Sequence, residues 1–143
     1  MKPVSLLIGL LLTLGSAVAD DKSVKTYGDN KVYFSAFNSS FVTPEVASVY
    51  NISRGADKGL VNIAVVPAGA ESGKTALVGG TVNDLLARQQ VLNFIEIREG
   101  DAVYYLAPFD FDNEDPLTFT VNVRPGGSTV THSFSFQRTF YKD

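Results

Sequence analysis

Apolar and polar residues alternate with period two along most of the chain, the mark of strands that bury one face. The pattern is clearest toward the C-terminus. Leu117, Phe119, Val121 and Val123 alternate with Thr118, Thr120, Asn122 and Arg124. After Pro125-Gly126-Gly127-Ser128 the alternation resumes, with Val130, Phe134 and Phe136 against Thr131, Ser133, Ser135 and Gln137. A two-residue turn at Gly126-Gly127 suits the positive φ that tight hairpins need. It sets Val123 opposite Val130, Val121 opposite His132 and Phe119 opposite Phe134, with the polar residues paired on the other face.

The same pattern predicts a second hairpin, from residues 92–99 and 102–108 around Glu99-Gly100-Asp101. Residues 60–66 read as a buried strand ended by Pro67. Residues 31–38 form an aromatic-rich strand, preceded by another at 24–27. Residues 77–86 are a weaker strand in which Gly79-Gly80 marks a bulge. One helical turn stands apart: Thr43 caps it, Pro44 suits the first helical position and Glu45 the positive helix end. Val46, Val49 and Tyr50 lie on one side of it, and Asn51 stops it. About seven strands and one short helix predict an all-β chain, an immunoglobulin-like β-sandwich. A small β-barrel is the alternative.

The N-terminus departs from this alternation. Lys2 precedes a nearly unbroken apolar run from Val4 to Leu14, and Ala17-Val18-Ala19 is the small-x-small pattern of a signal-peptidase site. The run is too short to span a bilayer. The expected division is a signal peptide at 1–19, cleaved after Ala19, and one domain at 20–143. No stable membrane insertion is expected after cleavage. No cysteine follows the run, which excludes a lipid-anchored lipoprotein. The remaining 124 residues contain no cysteine at all, so packing rather than disulfides must hold the domain together. With Lys2 removed, 11 basic side chains face 15 acidic ones, a net charge of −4. That balance offers nothing to nucleic acid.

Three motifs invite chemistry. Residues 68–75, AGAESGKT, fit a relaxed phosphate-loop pattern after a strand. A working loop must open a helix whose amides meet the phosphates, but Ala76-Leu-Val-Gly-Gly-Thr-Val is a poor helix former, so a sheet-crossing loop is expected. Residues 110–115 gather Asp110, Asp112, Asn113, Glu114 and Asp115, oxygen groups of the kind calcium takes. The sixth position of a calcium loop is here Asp115 rather than glycine and the twelfth is Val121 rather than glutamate, so an acidic turn is the simpler reading. His132 is the sole histidine. Its alternation with Phe134 and Phe136 makes it a packing residue, and one histidine without cysteine is too few for zinc. In Tyr33-Phe34 and Tyr104-Tyr105, adjacent aromatics face opposite ways. One of each pair therefore belongs to the core and the other faces out or lies under a loop.

FSAFNSSFVTPEVA at 34–47, YNISR at 50–54, GLVNI at 59–63 and HSFSFQRTFY at 132–141 together resemble domain-of-unknown-function family 4426, a set of exported gammaproteobacterial proteins. The resemblance runs from about Tyr27 to Tyr141. Gly55 replaces a serine usual in that family, and Arg138 replaces a glutamine. The resemblance implies a periplasmic, Gram-negative setting and brings no catalytic residues. Physically, Asn38 closes a strand, Ser39-Ser40 turn the chain and Phe41 anchors the turn in the core. A functional alternative places Asn38, Arg54 and Asn62 in one polar binding pocket beside the helix. The leading expectation is a non-enzymatic binding, interaction or accessory module without a cofactor, its partner an unidentified envelope protein or small ligand. Two others stand beside it: an envelope hydrolase using His132 or the 110–115 loop, and a calcium-stabilised structural domain.

Overall fold

The computed structural model describes residues 23–143. The expected signal peptide and its cleavage after Ala19 lie outside the described residues. Nine strands follow one another: β1 Val24–Tyr27, β2 Asn30–Asn38, β3 Lys58–Pro67, β4 Ala76–Asn83, β5 Gln89–Leu92, β6 Ile95–Glu99, β7 Ala102–Asp110, β8 Asp115–Pro125 and β9 His132–Phe140. A 3-10 turn at Ser39–Phe41 leads to one short helix, α1 Pro44–Val49. Every pairing is antiparallel. One sheet has the order β1-β2-β3-β7-β6 and the other β5-β4-β8-β9. With β1 set aside, these are the A-B-E-D and C′-C-F-G orders of an immunoglobulin-like sandwich. Among the described residues both sheets keep open edges, so no barrel closes. β1 is the strand expected at 24–27, and the strand total rises to nine because the segment expected as one strand at 92–99 breaks at Asn93-Phe94, where the chain passes from one sheet to the other.

Alternation fills the space between the sheets. Val32 and Phe34 from β2, Val61, Ile63 and Val65 from β3, and Tyr105 and Phe109 from β7 meet Val82, Phe119, Val121, Val123, Phe134 and Phe140. Rings interlock at the centre: Phe119 stacks on Phe136 at 4.8 Å and meets Phe109 edge-on at 5.0 Å. β3 carries an almost continuous apolar run because it is covered on both faces. Its other face lies in a second cluster with Phe37, Val42, Val46, Ala47, Ile97, Tyr104 and Leu106. Tyr33 packs against this second cluster while its neighbour Phe34 fills the first. Tyr104 and Tyr105 divide in the same way.

α1 covers that second cluster. Thr43 Oγ1 accepts the Val46 N–H at 3.3 Å, and Asn51, at φ 58°, ends the turn. The helix touches the sheet through Val46, Ala47 and Tyr50, so Val49 is turned to solvent rather than packed. Phe41 is also exposed, meeting only the edge of Phe37 at 6.2 Å, and does not anchor its turn in the core.

The C-terminal hairpin keeps its faces but not its partners. Gly127 alone of the glycine pair takes a positive φ, 82°, and the Ser128 N–H returns to the Pro125 carbonyl at 3.0 Å. That is the geometry of a type II turn, whose twist splays hairpin strands. The Gly126 N–H donates instead to the Thr75 carbonyl at 2.7 Å. Pairing therefore begins only at Val123–His132, and Val121 faces Phe134 while Phe119 faces Phe136. The slip is two residues, so every side chain stays on its expected face. Val130 is left exposed in the loop. In β4 the expected bulge is absent: Ala76 to Asn83 pair without interruption with Pro125 to Thr118.

Candidate functional site

At one end of the sandwich, Asp57, Asp84, Arg88, Gln90, Asp110, Phe111, Asp112, Asp115 and Leu117 line a cleft of about 260 Å³. This is the expected acidic loop together with the β4–β5 turn. Four of its five carboxylates, those of Asp84, Asp110, Asp112 and Asp115, are engaged by the protein's own groups. Lys58 Nζ lies 2.6 Å from Asp110. Arg88 bridges Asp84 at 2.5 Å and Asp112 at 3.3 Å. Asp84 Oδ1 also accepts the N–H groups of Leu86 and Arg88, each at 2.9 Å. Asp115 accepts the Asp112 N–H at 2.8 Å. Burial alone would raise the Asp84 pKa, but these hydrogen bonds and the Arg88 guanidinium outweigh it and hold the carboxyl below its ordinary range. Among the described residues no group of three His, Cys, Asp or Glu side chains is placed to hold a metal ion.

The phosphate-loop segment is the link that carries the chain from β3 to β4. Its Gly73 N–H donates to the Asp101 carbonyl and its Lys74 N–H to the Val65 carbonyl, both at 2.8 Å. Amides that would cradle a phosphate are thus committed within the fold. His132 stacks on Tyr27 with ring centroids 4.2 Å apart and planes 13° apart. This contact joins β1 to β9 across the two sheets, and His132 hydrogen-bonds no described serine or carboxylate.

Asn38, Arg54 and Asn62 are not brought into one pocket. Asn38 donates from Nδ2 to the Tyr141 carbonyl at 3.0 Å and to Asp143 at 3.1 Å, holding down the chain after β9. Arg54 lines a shallow surface hollow with Ser40, Gly55, Ala56 and Asp143. Asn62 pairs with Ser35 across β2–β3 and lies between Leu60 and Ala64 on the face of the sheet that α1 covers. Asn38 has the opposite alternation, so the two asparagines lie on opposite faces. Asn62 is 5% exposed, and its Oδ1 has no partner among the described residues.

Two polar contacts tie the sheets together: Gln90 on β5 donates to the Asp110 carbonyl and accepts the Asp110 N–H on β7, each at 2.8 Å, and Tyr105 makes the other. The Tyr105 hydroxyl on β7 donates to Glu96 at 2.7 Å and accepts the Ala76 N–H of β4 at 2.8 Å. Burial first, then the hydrogen bond to Glu96, push this phenol up to about 12. A phenol whose pKa is raised by folding contributes stability that is complete below its unfolded value near 10. That contribution is lost as pH rises through its folded value. Thermal melts should therefore fall between about pH 10 and pH 12. Tyr105→Phe should cost roughly 1–2 kcal/mol at neutral pH and flatten part of that alkaline fall. An unchanged alkaline profile in the variant would show that Tyr105 is not its source.

The feature that sequence reading passed over is a surface rather than a cluster. On the outer face of the β5-β4-β8-β9 sheet the registers set Val91, Thr81, Thr120 and Ser135 in one row. Gln89, Asn83, Thr118 and Gln137 form the next row, and Gly79, Asn122 and Ser133 a third. Hydrogen bonds run across the rows: Ser133 to Asn122 at 2.5 Å, Thr120 with Ser135 at 3.2 Å, Gln89 to Asn83 at 3.3 Å. Arg124, at one end, is the charged residue of this face. The signal was present in the polar half of each alternating strand, where Thr, Ser, Asn and Gln stand in place of the Lys and Glu usual on a solvated face.

The model of a family described as domain of unknown function DUF4426 matches residues 24–143. The chain belongs to the DUF4426 family. A crystal structure of a DUF4426 family protein from Pseudomonas aeruginosa PAO1 is 32% identical, with a TM-score of 0.75 over 84% of this chain and 94% of that one. More distant likeness extends to FetP of uropathogenic Escherichia coli strain F11. A copper-bound glutamate-to-glutamine variant of FetP is 9% identical, with a TM-score of 0.59 over 83% of this chain and 94% of that one. FetP as isolated after recombinant expression in the periplasm is also 9% identical, with a TM-score of 0.56 over 83% and 93%. At that identity the likeness is one of fold. No curated protein matches the chain. Among the described residues of this DUF4426 member, no helix is long and apolar enough to cross a membrane.

Proposed function

We propose that this protein is an exported, periplasmic, non-enzymatic binding module whose working surface is the carboxylate-free outer face of the β5-β4-β8-β9 sheet. That face carries the reading. In a chain with 15 acidic side chains, the outward positions of four adjacent strands present rows of hydroxyls and amides and no carboxylate in their centre. Each such group both donates and accepts hydrogen bonds, so the surface suits a neutral polar partner rather than an ionic one. Export is supported by the apolar run and Ala17-Val18-Ala19 pattern.

The other readings have less support. His132 is committed to stacking, and the acidic cleft is closed by its own ion pairs, which leaves a hydrolase without a base beside a nucleophile. The copper bound by the FetP variant is not carried over. Copper(I) favours thiolate and thioether, and copper(II) a set of nitrogen and oxygen donors; residues 23–143 contain one histidine and no cysteine or methionine, and among the described residues no three His, Cys, Asp or Glu side chains are grouped to hold an ion.

The test is site-specific photo-crosslinking in growing cells. A crosslinker at Thr120 or Asn122 should capture an envelope component, whereas one at Lys31, on the other sheet, should not. Capture at Lys31 alone, or at none of the three, would refute the assignment of this face.

A further inference from the structure

The four sheet edges are unequal. β1 and β5 have four residues each and β6 has five, whereas β9 has nine. Short edges offer little to a neighbouring chain, and charge guards them further. Lys25 and Lys31 flank the β1 edge, and β6 carries Glu96, Arg98 and Glu99. β9 has neither protection. It contains no proline, glycine, lysine or acid, and it pairs with β8 through nine consecutive positions without a bulge. Its one formal charge, Arg138, lies back over the Phe140 ring at 5.5 Å. The described residues place no strand on its other side.

The sequence of β9 is self-complementary when reversed. Antiparallel pairing of two copies about Phe136 matches all nine residues. Ser133 meets Thr139, Ser135 meets Gln137, Phe136 meets Phe136, and Phe134 meets Arg138 of the other copy. Hydroxyls and amides stay on one face, and no like charges stand opposite one another. The two Arg138 residues are then four positions apart, roughly 14 Å, beyond the screening length at physiological salt.

We infer that β9 is a docking edge for a second copy of this chain, joined antiparallel about a twofold axis at Phe136 into a continuous eight-stranded sheet. Such an interface is isologous, so pairing closes at two copies, and the main-chain ladder supplies its affinity. The edge lengths carry this inference independently of the proposed working face, which the pairing leaves free on both copies and makes continuous.

Sedimentation velocity on residues 20–143, up to several hundred micromolar, tests it. The expected result is a concentration-dependent doubling of mass. Ser135→Lys with Gln137→Lys sets lysines against lysines across the twofold and should weaken dimerisation at least tenfold. Both positions are exposed on the outer face, and circular dichroism checks that the fold survives. Mixing that variant with Ser135→Glu/Gln137→Glu should restore a mixed dimer. A wild-type protein monomeric throughout, a dimer indifferent to the lysines, or a mixture that fails to pair would each overturn the inference. So would a monomer whose β9 edge takes only strands of other proteins.

Discussion

Phe119→Ala should lower stability by about 3–5 kcal/mol and the melting temperature by roughly 10–20 °C. Phe119 is fully buried and stands where the two sheets meet. Its ring stacks on Phe136 and makes edge contacts with Phe109 at 5.0 Å and Phe140 at 6.0 Å. Truncation removes its own burial and leaves three rings facing a cavity. They cannot collapse into it readily, because Phe109, Phe136 and Phe140 are fixed by strands in both sheets. Without a disulfide to limit the unfolded chain, the loss falls directly on the folding equilibrium. Urea unfolding checks it, with Phe41→Ala as the comparison: that ring is 57% exposed and its removal should change stability by no more than about 0.5 kcal/mol. A loss below 1 kcal/mol at Phe119 would mean that the aromatic centre is not what holds the sheets together.

How much of this was readable beforehand depends on how local the deciding physics is. Phe119, Val121 and Val123 announce their buried face by alternation alone, and the structure agrees because a strand's side-chain period is fixed by its backbone. The cap at Thr43 and the stop at Asn51 are equally local. The larger failures involve a partner distant in sequence. The register of the last hairpin depends on Gly126 donating to Thr75, which turn chemistry within residues 125–128 does not reveal. Tyr104 is buried like Tyr105 because α1, more than fifty residues earlier, roofs the outer face of its sheet. Asn38 and Asn62 are expected in one pocket beside the helix, yet their alternation in β2 and β3 sends them to opposite faces. The hydroxyl- and amide-rich sheet face is hidden for a different reason. Each strand carries its share of the signal, but only the strand order β5-β4-β8-β9 brings the four side by side.

Gly80→Val should be among the most damaging substitutions outside the aromatic core, and Gly79→Ala, one residue away, should be harmless. A Cβ at Gly80 would come within 2.3 Å of the Thr120 carbonyl oxygen and 3.3 Å of the Val121 Cα. Those are backbone atoms of the paired strand, so no side chain can swing away. β4 and β8 would have to separate, breaking the ladder that runs from Ala76–Pro125 to Asn83–Thr118. A cost of about 3–5 kcal/mol is expected, at the upper end for single substitutions. Gly79 meets nothing within 4 Å and has no positive φ. Alanine there should be neutral or stabilise by up to about 1 kcal/mol, by restricting the unfolded chain. The pair separates two explanations of adjacent glycines. If they marked a bulge, both positions would resist substitution alike. If close approach of β8 is the reason, only Gly80 will, and amide exchange should show β4 and β8 opening together in Gly80→Val. Equal damage at the two positions would contradict the uninterrupted register.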